Sequence, residues 1–86
     1  MKTNNKIYVT TYVLFLSQAD FNIDLLMFEL ADRCLATMPT PEQIYIIAQS
    51  DVLASADIHN LILKYSKNID APYQLINIGT FGPFKK

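Results

Sequence analysis

The 86-residue sequence contains no tryptophan, one cysteine, one histidine and two glycines. Its single cysteine, Cys34, excludes an internal disulfide, a CxxC redox pair and a zinc site built from several cysteines. Phosphate-binding loops need glycine at a strand-to-helix turn, and neither such turn predicted here contains one. The sequence therefore predicts neither a cofactor nor a metal site.

Charged residues are also scarce. They make up 17% of the chain, the formal net charge is −1, and Arg33 is the only arginine. Nucleic-acid binders normally carry a basic face that collects phosphates, so a nucleic-acid partner is not expected. Apolar residues reach 51%, which is high for one small domain spanning residues 1–86. We expect the surplus apolar surface to be covered by a protein partner or by further copies of the chain.

Uninterrupted apolar runs of membrane-spanning length are absent, since Ser17, Gln18 and Asp20 break the longest candidate. The segment after Lys2 is built from Tyr, Thr and Val and lacks a clean small-residue cleavage site, unlike a secretion signal. These features predict a cytoplasmic protein without a membrane partner.

Residues 7–16, IYVTTYVLFL, are rich in β-branched and aromatic residues and contain no charge, glycine or proline. Both alternating faces of this segment are largely apolar. A strand of that kind is typical of the centre of an α/β sheet and should be covered on both sides. The helices would lie on one face of the sheet or on both, depending on strand order. The segment predicts the central strand of the fold.

The rest of the chain predicts a β-α-β-α-β order. A helix is expected from the Ser17–Asp20 region to about Thr37, apolar most of the way round, and Pro39 and Pro41 should end it. Residues 43–49 predict a second strand, 52–68 a second helix and 73–78 a third strand. The expected fold is a small three-stranded α/β layer domain. A ferredoxin-like α+β fold remains an alternative if residues 52–54 form a short extra strand.

The predicted interaction residues lie on the first helix and in the tail. A helix that is apolar on most sides should be buried on more than one side, and the second side would meet a partner. Residues 1–5 and 80–86 are expected to be flexible or to contact a partner. The predicted interface consists of Phe21, Leu25, Phe28, Asp32, Phe81 and Phe84.

A second hypothesis is a small-ligand pocket near Ser50, Asp51 and His59. His59 is the only histidine and could serve as a general acid or base, but no nucleophile has a sequence pattern that places it alongside. No catalytic residues are predicted, and an enzyme is the third hypothesis.

Three short motifs resemble thioredoxin-like domains of the KaiB type: Tyr12-Val13-Leu14-Phe15-Leu16, Asp51-Val52-Leu53 and Ala71-Pro72-Tyr73. Pro72 matches the proline that precedes the third strand in that fold. No CxxC follows the first strand, and the chain ends where the family usually has a further strand and helix. The resemblance implies a non-catalytic domain that works through protein contacts and oligomerisation.

Overall fold

A computed structural model describes residues 6–85, which form four strands and two helices. In chain order these are β1 (Lys6–Leu16), α1 (Ile23–Arg33), β2 (Ala36–Pro39), β3 (Gln43–Gln49), α2 (Ser55–Lys64) and β4 (Tyr73–Lys85). A single 3-10 turn, Gln18–Asp20, precedes α1. Within the described residues, neither helix is long and apolar enough to cross a membrane.

The four strands form one antiparallel sheet in the order β2-β3-β1-β4. The prediction that residues 7–16 form the central segment is confirmed, since β1 is paired on both sides. The general prediction of a domain built from helices and strands fits, but the sheet has four strands where three were predicted. The domain is α+β with a β-α-β-β-α-β element order, as in ferredoxin-like folds. The alternative prediction located the extra strand at residues 52–54, whereas it lies at Ala36–Pro39.

This extra strand forms because β3 offers an unpaired edge. Helix α1 ends at Arg33, earlier than predicted, and Cys34 is already extended. The Leu35 amide then donates to the Ile47 carbonyl at 2.8 Å, which starts the β2–β3 ladder. Thr40 closes the hairpin, because its amide and hydroxyl both donate to the Gln43 carbonyl. The two prolines that predicted a helix end therefore belong to a hairpin.

Helix α2 is also shorter than the predicted range of 52–68. It begins at Ser55, where the Asp57 carboxylate accepts a hydrogen bond from the Ala54 amide at 2.9 Å. Leu53 lies in the preceding turn and is fully buried. Leu53 is apolar because the turn itself contacts the core. The spacing of apolar residues could not distinguish this contact from the buried face of a helix.

The tail continues β4 as one long strand to Lys85, and partner contact by residues 80–85 stays a prediction; residues 1–5 and 86 lie outside the described range. Gly82 has φ +136°, and a Cβ there would lie 2.7 Å from the Ile7 carbonyl oxygen. Only glycine fits so close to β1 in that conformation. Two register shifts accompany this pairing.

The core lies on one side of the sheet, between the strands and both helices. Leu14 and Ile46 at the sheet centre meet Leu26 and Leu30 of α1 and Ile58 and Ile62 of α2, all with no measurable exposure. The sequence left open whether the helices lie on one face of the sheet or on both. They lie on one face, so the other side of the sheet has no helix.

Candidate interaction surface

The side of the sheet opposite the helices forms a continuous surface, here called the open face. Side chains alternate along a strand, and directly paired residues point to the same side. Val13 pairs with Tyr45 and Ile76, and Thr11 pairs with Ile47 and Gly79. By this register the open face consists of Ile7, Val9, Thr11, Val13, Phe15, Ala36, Met38, Gln43, Tyr45, Ile47, Gln49, Gln74, Ile76, Gly79, Phe81 and Phe84. None of these residues belongs to the core cluster.

The open face contains no charged residue among its members. Its polar groups are amides and hydroxyls, and some of them bond to each other. The Tyr45 hydroxyl donates to Gln43 Oε1 at 3.0 Å, for example. Charged side chains are well solvated on a sheet face that is in contact with water. Exposure to solvent therefore does not explain why the open face has none.

Large apolar side chains at the edges of the open face are strongly exposed. Met38 on β2 is 61% exposed and Phe81 on β4 is 59% exposed. The Phe81 ring lies beside Gly79, because a Cβ on Gly79 would be 3.2 Å from the ring edge. Val13 at the centre is buried, although it lies outside the core cluster. The face therefore has a packed centre and an exposed apolar rim.

Helix α1 carries a second exposed apolar surface. Phe28 is 78% exposed and Leu25 is 54% exposed, with the exposed Asp32 one turn after Phe28. These three residues, here called the α1 stripe, lie on the helix side of the sheet. Phe81 and Phe84 lie on the open face, so the six predicted interface residues do not form one surface.

Phe21 does not belong to either surface. It is 1% exposed and its ring meets Tyr73 edge to face at 6.3 Å between centroids. Phe21 forms an isolated antiparallel bridge with Ser66, which ties the start of α1 to the segment after α2. The prediction of Phe21 as an interface residue is corrected, because this bridge carries its side chain into the core.

A charge cluster joins the two helices behind the α1 stripe. The Glu29 carboxylate accepts a short hydrogen bond from the Tyr65 hydroxyl and contacts Lys64 Nζ at 3.3 Å and Arg33 at 3.7 Å. The Tyr65 hydrogen bond is the main reason that the pKa of Glu29 lies below its usual value, with the two cations adding to it. The hydrogen bond between Lys64 and Glu29 raises the pKa of Lys64. The cluster therefore has one carboxylate between two cations, and the Glu29–Lys64 contact links α1 to α2.

The predicted ligand residues are held in separate places. The Ser50 amide donates to the Tyr8 carbonyl near the start of β1, and Ser50 Oγ lies 2.7 Å from the buried Thr10 hydroxyl. His59 Nδ1 lies 2.7 Å from the hydroxyl of Tyr73, which pairs with Leu16 at the other end of β1. Asp51 accepts from the Gln49 side chain. Ser50 and His59 are close in sequence but do not line one pocket.

A surface cleft of about 420 Å³ lies instead at the start of α1. Two of its lining residues are charged, Asp24 and Lys67. The full lining is Gln18, Phe21, Asn22, Ile23, Asp24, Leu25 and Lys67. Opposite charges at its wall do not favour either sign of ligand. The cleft matches none of the predicted ligand residues.

Within residues 6–85, no group of three or more His, Cys, Asp or Glu side chains is placed to hold a metal ion. Burial raises the pKa of the Cys34 thiol, and its Sγ donates to the Ala36 carbonyl. A thiol with a raised pKa is a poor nucleophile near neutral pH.

Sequence reasoning missed the open face, although a signal was present. Every odd-numbered position from 7 to 15 is uncharged, and so is every odd-numbered position from 43 to 49. That pattern indicated burial on a second side but not what would cover it. Comparisons with family models, with curated proteins and with solved structures gave no match.

Proposed function

We propose that this chain is a small non-enzymatic module that acts by binding protein and that associates with copies of itself. The observation that carries the proposal is the uncharged, largely apolar face of the sheet that no helix covers. Apolar surface of this extent on a small domain is typical of interaction sites. The α1 stripe adds a second exposed apolar surface.

The geometry favours this function over the ligand-binding hypothesis. Ser50 contacts Thr10 in the middle part of β1, whereas His59 contacts Tyr73, which pairs with Leu16 at the end of β1. The resemblance to KaiB-type thioredoxin-like domains implies protein contacts and oligomerisation, which agrees with the proposal without carrying it.

The proposal is tested by the solution mass of the purified chain over a dilution series, measured by sedimentation velocity and light scattering. We expect a defined multiple of 9.8 kDa that dissociates on dilution. A soluble species of 9.8 kDa at every concentration would refute self-association. A thermal-shift screen with small acids and nucleotides on the same sample would then test the ligand hypothesis.

A further inference from the structure

We infer that the open face is the self-association surface and that its occupant is the open face of a second copy, packed sheet against sheet about a two-fold axis. This inference rests on the proposed function and narrows it, because self-association through the α1 stripe would satisfy the proposed function equally well. Two properties favour the open face over the α1 stripe, namely its size and its lack of charged residues.

The size of the open face suits a dimer contact. Four strands about 4.8 Å apart give a width of about 19 Å, and the seven residues of β3 at about 3.4 Å each give a length of about 24 Å. The β1–β4 ladder extends past β3, because Ile7 pairs with Phe84. The flat footprint is therefore roughly 500–550 Å². Side-chain relief adds to it, which brings the face close to the roughly 600 Å² per partner at which specific interfaces begin.

The charge of the open face suits a copy of itself. In a two-fold contact, each patch meets the same patch, so charged residues of one sign would face each other near the axis. Like charges placed together across an interface cost several kcal/mol. The open face avoids this conflict because it has no ionised side chain. The α1 stripe, in contrast, includes Asp32 beside Phe28 and Leu25.

The same absence of charge argues against single-stranded nucleic acid as the occupant. Four-stranded sheets can stack bases on aromatic side chains, and Phe15, Tyr45 and Phe81 are aromatic. Such surfaces combine stacking with cations that contact the backbone phosphates. No lysine or arginine is a member of this face. Apolar sheet faces instead stack about 10 Å apart with interdigitated side chains.

Thr11 is the position at which to test the contact. It lies on the central strand between Ile47 and Gly79, is already polar and is not fully buried. We expect Thr11→Lys and Thr11→Glu each to weaken dimerisation at least about a hundredfold, because each brings like charges together at the centre of the contact. Mixing the two variants should restore a dimer, since opposite charges then meet.

The matched control for Thr11→Glu is Phe28→Glu, which introduces the same charge on the aromatic residue of the α1 stripe. It should leave the dimer intact. Circular dichroism and a cooperative thermal transition check that each variant folds. Should Thr11→Lys not fold, Met38→Lys replaces it, because Met38 is an exposed member of the same face outside the core.

The outcomes separate the inference from the proposed function. Dissociation by Thr11→Glu with a dimeric Phe28→Glu supports the open face. An assembly that persists in Thr11→Glu and dissociates in Phe28→Glu overturns the inference and leaves the proposed function standing. A wild-type monomer overturns both. Binding of labelled single-stranded RNA by a monomer, lost in Tyr45→Ala, would show a nucleic-acid surface instead.

Discussion

Glu29 is the residue through which charge links the two helices. Its pKa is lowered in the folded protein by the Tyr65 hydroxyl, by Lys64 and by Arg33. A lowered folded-state pKa stabilises the fold above the usual Glu pKa of 4.5, and the contribution disappears as the pH falls through the folded-state value. We therefore expect the melting temperature of wild type to fall on acidification below about pH 5 more steeply than that of Glu29→Gln.

The measurement is a series of thermal melts from neutral to acidic pH. Glu42→Gln is the control, because Glu42 lies exposed in the β2–β3 turn, away from this cluster. Parallel curves for wild type and Glu29→Gln would show that the Tyr65 and Lys64 contacts do not operate in solution.

At the scale of elements, β1 organises the fold because it pairs with β3 and β4 and contributes to the core. Leu14 has no exposure, whereas Leu25 on α1 is 54% exposed. Removing a buried leucine side chain costs about 2–5 kcal/mol, since transfer and cavity terms add. We expect Leu14→Ala to lower the free energy of unfolding by about that amount and Leu25→Ala by about 0.5 kcal/mol or less.

Urea denaturation of the two alanine variants at one protein concentration compares these costs directly. Equal losses of stability would mean that Leu25 is also buried, for example in a contact between copies through α1. That result would count against the open face as the only interface.

Sequence reasoning located the elements that have a strong local pattern and missed those created by pairing. The strands at 7–16 and 43–49 were confirmed because runs of β-branched and aromatic residues favour strands wherever they occur. Strand β2 has only Thr37 as a β-branched residue and forms because β3 supplies its hydrogen bonds. Local propensity carries no information about such a neighbour.

For the whole molecule, self-association links stability to protein concentration. A dimer that dissociates on unfolding melts at a higher temperature when the protein is more concentrated, by mass action. We expect the melting temperature of wild type to rise with concentration, and that of Thr11→Lys to be independent of it. Differential scanning calorimetry over a wide concentration range tests this. A concentration-independent wild-type transition would contradict the expectation.

The sequence by itself determined that the chain combines helices and strands, that residues 7–16 form the central strand, and that more apolar surface exists than a small core can use. Periodicity and composition are local properties, so they can be counted along the chain. Phe21 and Phe28 show what the sequence left undecided, because the same residue type is core at one position and exposed at the other.

Only the tertiary structure decided where the surplus apolar surface lies. Both helices pack on the same side of the sheet, and the strand register collects the odd-numbered residues of β1 and β3 on the other side. The order of the strands and the side of the sheet on which the helices pack depend on hydrogen bonds between distant segments and on the apolar area that the whole core buries. Those terms depend on residues far apart in sequence, such as Thr11 and Gly79, and no local pattern encodes their pairing.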